Sequence, residues 1–420
     1  MKTRMNQIRK LIEPIVMIIV CLNVFPLITD AQRGDYLPYP TKLTWSPNGN
    51  NIMVSGHGFV QVIDVINGST ILDINLGPYD VPRHEWNSNG NLISFTYNNI
   101  VSVWDITTRV LVNEFNLIPL TGGFIVDFDW YHNNNILVFI ERSDGTQYLT
   151  TIDPLTAQVH NQPITTLYRV SEIDISPDNR YISIRQGARY LQIWDAEQLV
   201  NLYEFYSGED TLLIRSAWSS DSTQIVIAYY NGVIKIWDLV IHPNRSIAFT
   251  ESLSFISEPE ARIRSIYWSL DNSQIMIIND FAEIRIFDSQ TETQLYTSGQ
   301  ATSNAANFSP FGGQLAYTNR FALPQEEGFT REEIRTANGV QRQFDNTFVQ
   351  IVIPDPSLDR LQTIADACNA PLAIEQSLTA DIETNQLSNL ITQLESLPTD
   401  AIPPACAADL IAVAEAIQNQ

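Results

Sequence analysis

Residues 230–240 read YNGVIKIWDLV, and the organisation of the chain follows from this stretch. Asn231-Gly232 supplies the positive backbone φ angles that a two-residue hairpin turn needs. The apolar residues that follow predict a strand, and the strand ends on Trp237-Asp238. The stretch therefore predicts a β-hairpin, and its neighbours decide whether the hairpin stands alone.

A short motif shows that it does not stand alone. The motif is an aromatic or apolar residue followed by small polar residues and a turn. Its seven copies, spaced by 40 to 50 residues, are WSPNGN at Trp45, WNSNGN at Trp86, WYHNNN at Trp130, ISPDNR at Ile175, WSSDST at Trp218, WSLDNS at Trp268 and FSPFGG at Phe308. Each copy precedes strand-like runs, so each unit predicts about four strands.

Four-stranded units at this period are typical of β-propeller blades. One blade cannot bury both of its faces, but a closed ring of blades buries all of them. Ile225, Val226 and Ile227 agree with this, because they are apolar on both sides of one predicted strand. We therefore expect an all-β fold: a seven-bladed β-propeller of four-stranded blades, followed by a small C-terminal α-helical module.

The chain resembles the WD-repeat family across 41–354. The marks of the resemblance are the motif residues Trp104, Asp105, Trp194, Asp195, Trp237 and Asp238, with Asp64, Asp153 and Asp288 in weaker copies. The family's Gly-His pair before each unit is missing, so its His-centred hydrogen-bond network is not expected. The resemblance implies a binding scaffold for a protein or peptide partner.

The sequence divides into three parts: 1–31, 32–356 and 357–420. The first begins with basic residues, continues through 13 uncharged residues (Ile15–Leu27) and ends on the small residue Ala31. This layout predicts a secretory signal peptide and an exported protein: secreted, periplasmic or at the cell surface. An uncleaved membrane anchor is the alternative; after signal removal we expect no transmembrane segment.

The last propeller unit is irregular. A polar insert occupies 321–346, and Ile353 stands where the other units have the motif aspartate. Because no fourth strand follows, we expect residues near Tyr36–Tyr39 to supply it. The insert is either a surface excursion or a binding loop.

The tail changes to helical spacing, with stripes through Leu361, Leu390 and Leu410. Cys368 and Cys406 are the two cysteines left after signal removal, and an oxidising compartment favours their pairing. A disulfide across these 38 residues would contribute about 3 to 4 kcal/mol. The acidic tail is either a cap on the propeller or a docking module for a basic or cell-surface partner.

The net charge of −23 argues against nucleic acid as a partner. The charge serves solubility, or it attracts a basic partner. The chain has no phosphate-binding loop, nucleophile elbow or metal-binding histidine motif, so we expect no cofactor and no metal. Asp127 and Asp129 share one side of a strand, as an acid pair or metal site would, but polar positions on an innermost strand explain them better.

One column of residues suggests a binding site. The residue three before each aligned aromatic is charged in five units: Lys42, Arg83, Asp127, Glu172 and Arg215. In a propeller these positions converge near the central opening. They either neutralise one another or form a polarised recognition site. The leading prediction is a non-catalytic scaffold; the alternatives are a propeller hydrolase or lyase acting at the channel mouth, or a structural cell-envelope component. The sequence does not indicate an oligomeric state.

Overall fold

The computed structural model describes residues 40–56, 58–65, 69–77, 82–166, 168–257, 262–298, 305–310, 315–320, 347–352, 361, 364–365, 381–382, 386–397, 401–402 and 404–418. The predicted signal peptide, the strand expected near Tyr36–Tyr39, the insert at 321–346 and Cys368 lie outside these residues. These four expectations therefore stay predictions.

Six four-stranded antiparallel sheets follow one another along the chain. The first three consist of β1 Pro40–Trp45, β2 Asn51–Gly56, β3 Phe59–Asp64 and β4 Thr70–Asn75; β5 Arg83–Trp86, β6 Leu92–Tyr97, β7 Ile100–Asp105 and β8 Val110–Asn116; and β9 Gly123–Tyr131, β10 Asn135–Arg142, β11 Gln147–Ile152 and β12 Val159–Ile164. The next three consist of β13 Val170–Ile175, β14 Tyr181–Gln186, β15 Tyr190–Asp195 and β16 Asn201–Tyr206; β17 Leu213–Trp218, β18 Gln224–Tyr229, β19 Val233–Ile241 and β20 Ile247–Ile256; and β21 Ile263–Trp268, β22 Gln274–Asn279, β23 Ile284–Asp288 and β24 Gln294–Thr297.

The prediction of seven four-stranded blades is wrong: the described residues form six. The motif at Phe308 does open another sheet, but this sheet has three strands, β25 Ala306–Phe308, β26 Leu315–Arg320 and β27 Thr347–Val352. The motif marks the first hairpin of a unit and does not ensure an outer strand. In this unit the 26-residue insert (321–346) also replaces the tight turn between the second and third strands.

The ring closes between the first and last sheets. The Trp45 indole Nε1 donates a hydrogen bond of 3.1 Å to the Asn307 carbonyl oxygen. Equivalent hydrogen bonds link complete blades. Trp86 of the second blade donates to Thr44 O of the first, and Trp268 of the sixth blade donates to Ala217 O of the fifth. The aligned aromatic of the repeat therefore ties each such blade to the one before it.

The apolar core lies between neighbouring blades, as the sequence predicts. Ile225 packs into a cluster with Leu191 and Phe205 of the fourth blade. Val226, the next residue of the same strand, packs with Ile263 and other residues of the sixth blade. One strand thus buries both of its faces, and at about 25 cal/mol per Å² of apolar surface this contact between blades is a major stabilising contribution.

Helices occupy two places. A short helix, α1 Leu117–Thr121, connects the second and third blades and was not predicted. The predicted C-terminal helices are present, with α2 Leu387–Ser396 and α3 Pro404–Gln418 packed in a cluster that includes Leu361, Leu390 and Leu410. Cys406 is buried in this cluster, while its predicted pairing with Cys368 stays a prediction.

The helical module is joined to the last sheet by a buried contact. The Ser309 hydroxyl donates to the Asp409 carboxylate at 2.8 Å, and these residues are only 2% and 1% exposed. In other blades the equivalent serine donates to a residue two positions later, as Ser176 does to Asp178. In the sequence of the last unit that position is Phe311, which has no carboxylate, and Asp409 of α3 provides one to Ser309 instead.

Candidate binding surfaces

The five predicted ring residues occupy equivalent places on the innermost strands. In four of these blades a β-bulge directly precedes the position; the exception is Arg83, which begins β5. A bulge redirects the side chain that follows it. The bulges therefore give the ring position a shared geometry, which the aligned sequence column anticipated.

Four of the five charged ring residues are paired. Lys42 forms an ion pair with Glu85, and Arg83 forms one with Asp127 of the next blade. Glu172 accepts a hydrogen bond of 2.9 Å from Arg185 Nε. These pairs agree with the neutralising alternative from the sequence, while a recognition role for the ring stays a prediction.

The guanidinium of Arg215 is held differently. Its Nη1 donates to the Ile214 carbonyl oxygen at 2.9 Å. Burial, with Arg185 and Arg262 nearby, lowers the pKa of Arg215, although Glu172 opposes this shift. Arg215 is the predicted ring residue whose described side-chain hydrogen bond goes to the backbone of the preceding residue, Ile214.

A second column of carboxylates, Glu85, Asp129 and Asp174, stands one residue before the aligned aromatic. The sequence had indicated Asp129, whereas Glu85 and Asp174 were missed. Asp129 accepts from Ile175 N at 3.1 Å and so joins the third blade to the fourth. Burial and the neighbouring charges of Glu85 and Asp174 raise the pKa of Asp129 well above its ordinary value. The two columns lie on the same side of the strand, so this second column belongs to the same ring.

The pKa of Asp174 is raised to about 7. Burial is the main cause, followed by the charges of Glu172, Glu85 and Asp127, while Lys42 opposes them. Asp127 also has a raised pKa through burial, although Arg83 and the Ile173 amide stabilise its charge. Asp127 and Asp129 therefore act as polar positions that bind the next strand, as the preferred sequence interpretation had it.

The repeated motif aspartates cap turns. Asp195 Oδ1 accepts from the amides of Glu197 and Gln198 at 3.0 and 2.7 Å, and Leu199 then adopts a left-handed φ of 53°. Asp105, Asp153 and Asp288 accept from the amides two and three residues later in the same way. Asp238 differs, because its strand continues to Ile241 and its carboxylate accepts from Gln224 Nε2.

We call the rim formed by the turns between first and second strands and between third and fourth strands the acidic rim. It contains these aspartate turns and the serine turns of the repeat. Ser219 is typical: its hydroxyl donates to Asp221 and accepts from the Gln224 amide. Bonds such as Asp178 N to Ser222 Oγ link the turns of adjacent blades. The polar groups of this rim are therefore used to hold the turns.

We call the opposite rim, formed by the turns between second and third strands and by the connections between blades, the aromatic rim. Large rings are exposed there, including Tyr168, Tyr206, Tyr230 and Phe281. The Arg262 guanidinium lies 5.8 Å from the centre of the Tyr230 ring. In the part of the chain that the structure describes, the polar side chains of one rim thus cap turns, while the other rim exposes aromatic rings to solvent.

Two features are missing from the described residues. Within them, no group of three or more His, Cys, Asp or Glu side chains is arranged to hold a metal ion. Among those same residues, no helix is long and apolar enough to cross a membrane.

Comparison with known families gives one match. The model described as WD domain, G-beta repeat, matches residues 202–238. These residues span the last strand of the fourth blade and the first three strands of the fifth, including most of the stretch YNGVIKIWDLV. No curated protein matches the chain.

Solved structures agree on the architecture. The chain is similar to the β-propeller domain of Myceliophteria thermophila Cps50 (Swd1), with a TM-score of 0.58 and 9% identity, over 69% of this chain and 96% of that one. At this identity the likeness concerns the fold alone. The repeat match and the fold together support a WD-repeat propeller.

Proposed function

We propose that this protein is a non-catalytic scaffold that binds a protein or peptide partner outside the cytoplasm, through the aromatic rim of its propeller. WD-repeat propellers commonly serve as protein-interaction scaffolds. The observation that carries the proposal is the contrast between the rims. Exposed tyrosine and phenylalanine rings are rigid and partly apolar, which makes them effective anchors in protein interfaces.

The experiment is a capture of partners from the exported fraction by the full chain. The test variant combines Tyr230→Ala and Phe281→Ala on the aromatic rim. The control combines Leu155→Ala and Leu270→Ala, which remove exposed apolar side chains from the acidic rim. We expect a specific partner that the test variant loses and the control keeps. Equal capture by both variants would refute the role of the aromatic rim.

Export rests on the sequence of residues 1–31. The expected result is a mature protein that begins at Gln32 and is recovered outside the cytoplasm. Cell fractionation followed by sequencing of the amino terminus measures both. An intact amino terminus in the membrane fraction would favour the uncleaved anchor, and a cytoplasmic protein would contradict export.

A further inference from the structure

Three tyrosines form a stack on the aromatic rim beside the fourth blade. The rings of Tyr168 and Tyr190 lie 4.7 Å apart and only 11° from parallel. The rings of Tyr190 and Tyr206 lie 5.1 Å apart at 27°. We call these three residues the tyrosine ladder. Tyr168 and Tyr206, at its ends, are 48% and 50% exposed.

The backbone fixes the ladder in place. Tyr190 begins β15 and pairs in register with Tyr206, which ends β16. The Tyr168 amide donates to Gln186 Oε1 at 3.4 Å. A side-chain hydrogen bond to Tyr168 is the main cause that raises the pKa of Tyr190 to about 12. The ladder is therefore ordered before any ligand arrives, which reduces the entropy lost on binding.

The repeat does not require the ladder. The register pairs at the same place in other blades are Phe59 with Asn75, Ile100 with Asn116, Gln147 with Ile164 and Val233 with Ile256. Among these described pairs, two aromatic residues face each other in the fourth blade alone. Since these four blades form without such a pair, folding does not explain three stacked rings of which two, Tyr168 and Tyr206, are about half exposed.

Acidic side chains are common in the segments next to the ladder. Glu204 lies close enough to Tyr190 for its negative charge to help raise the pKa of that tyrosine. Glu209 and Asp210 are exposed in the loop that follows Tyr206. Arg189 holds this loop in place by donating to the Gly208 and Thr211 carbonyl oxygens. At the other end Arg169 is 3.6 Å from Glu141. These segments carry four carboxylates and two guanidinium groups, so their net charge is negative.

We propose that the tyrosine ladder binds an arginine- or lysine-containing segment of the protein partner. Cations bind over tyrosine faces, and nearby carboxylates strengthen the attraction. The rim already contains such a contact, with Arg262 over Tyr230. This inference rests on the proposed function and names the chemistry of the partner.

The test uses the purified full chain and a fluorescent 12-residue peptide of alternating arginine and glycine, with binding measured by anisotropy. Tyr206→Ala and Tyr168→Ala should each weaken binding by about fivefold or more, the range of a cation–π contact. Tyr206→Phe keeps the ring and should stay within about twofold. Far-ultraviolet circular dichroism checks that each variant is folded.

A charge-matched pair separates the ladder from general acidity. Glu209→Gln with Asp210→Asn removes two charges beside the ladder and should weaken binding by about threefold. Glu197→Gln with Glu292→Gln removes two exposed charges from the acidic rim and should change it by less than about twofold. Equal effects of the two pairs would overturn the inference.

The other possible results also decide whether the inference holds. An uncharged β-linked glucose hexamer that binds through Tyr206, with no binding of the arginine peptide, would indicate a glycan site and overturn the inference. Peptide binding that is unchanged in both Tyr206→Ala and Tyr168→Ala would also overturn the inference. If the partner is still captured through Tyr230 and Phe281, the proposed function survives either result; if no partner is captured, the proposed function fails separately.

Discussion

The two rims of the propeller use side chains in different ways. On the acidic rim the motif serines and aspartates recur in most blades and make the same turn contacts, as Ser176 and Ser219 do. On the aromatic rim Tyr168, Tyr190 and Tyr206 occur together once. In a repeat protein the recurring residues report on folding, because every unit faces the same folding requirement. The residues that do not recur are where a function specific to this chain is to be sought.

The largest effect is expected where the helical module meets the acidic rim. Asp409→Ala leaves the buried Ser309 hydroxyl without this acceptor and should lower the free energy of unfolding by about 2 to 3 kcal/mol. Chemical denaturation measures the loss. Glu395→Gln, an exposed change on α2, is the control and should have no measurable effect. Equal stability of Asp409→Ala and the parent would show that the module does not support the ring.

The channel gives a pH-dependent effect. The folded pKa of Asp174, about 7, exceeds its ordinary value of 3.8. The folded protein therefore binds this proton more tightly, and the stability associated with Asp174 is present below about pH 4 and lost as the pH rises through about 7.

Asp174→Asn should accordingly raise the melting temperature by a few degrees (~3 °C) at pH 8 and by much less at pH 5. Thermal unfolding at both pH values measures the difference. Asp210→Asn, an exposed change, provides the comparison and should show little dependence on pH. A gain for Asp174→Asn that is the same at pH 5 and pH 8 would contradict the raised pKa.

A single turn cap of the acidic rim should have a moderate effect. Asp195→Ala removes the acceptor for two turn amides and should cost about 1 kcal/mol, measured by chemical denaturation. Asp195→Asn keeps an acceptor oxygen and should cost less. Identical losses for alanine and asparagine would show that the charge, and not the turn geometry, matters here.

The smallest effect is expected on the aromatic rim. Phe281→Ala removes a ring that is 64% exposed and should change the free energy of unfolding by less than about 0.5 kcal/mol. The measurement is the same denaturation series. A loss as large as that of Asp195→Ala would remove the contrast between the rims, because the aromatic surface would then serve stability.

Local patterns in the sequence predicted much of the fold. The aromatic-plus-turn motif located the innermost strands, and Trp-Asp located the third strands, because these residues make contacts within one unit or with the next. The number of complete blades was wrong because the outer strand has no comparable local marker. The connection α1 was missed, although Asn116 caps it by accepting from the Ile118 amide.

The candidate surfaces were harder to predict. Arg83 and Asp127 were located by alignment, yet their pairing depends on how neighbouring blades are placed. The ladder gave no signal in the sequence: Tyr190 and Tyr206 are 16 residues apart and look like ordinary aromatic residues at strand ends. Their contact follows from strand register, and that of Tyr168 follows from the path of the chain between blades.

The bond from Ser309 to Asp409 also affects the order in which parts of the protein can assemble during synthesis. The ribosome synthesises the chain from its amino terminus, so the six complete blades emerge from it well before residue 409. The last sheet obtains its missing carboxylate only when α3 has been synthesised. Docking of the helical module on the last sheet therefore has to wait for the synthesis of α3, and a nascent chain stalled before α3 would lack the bond from Ser309 to Asp409.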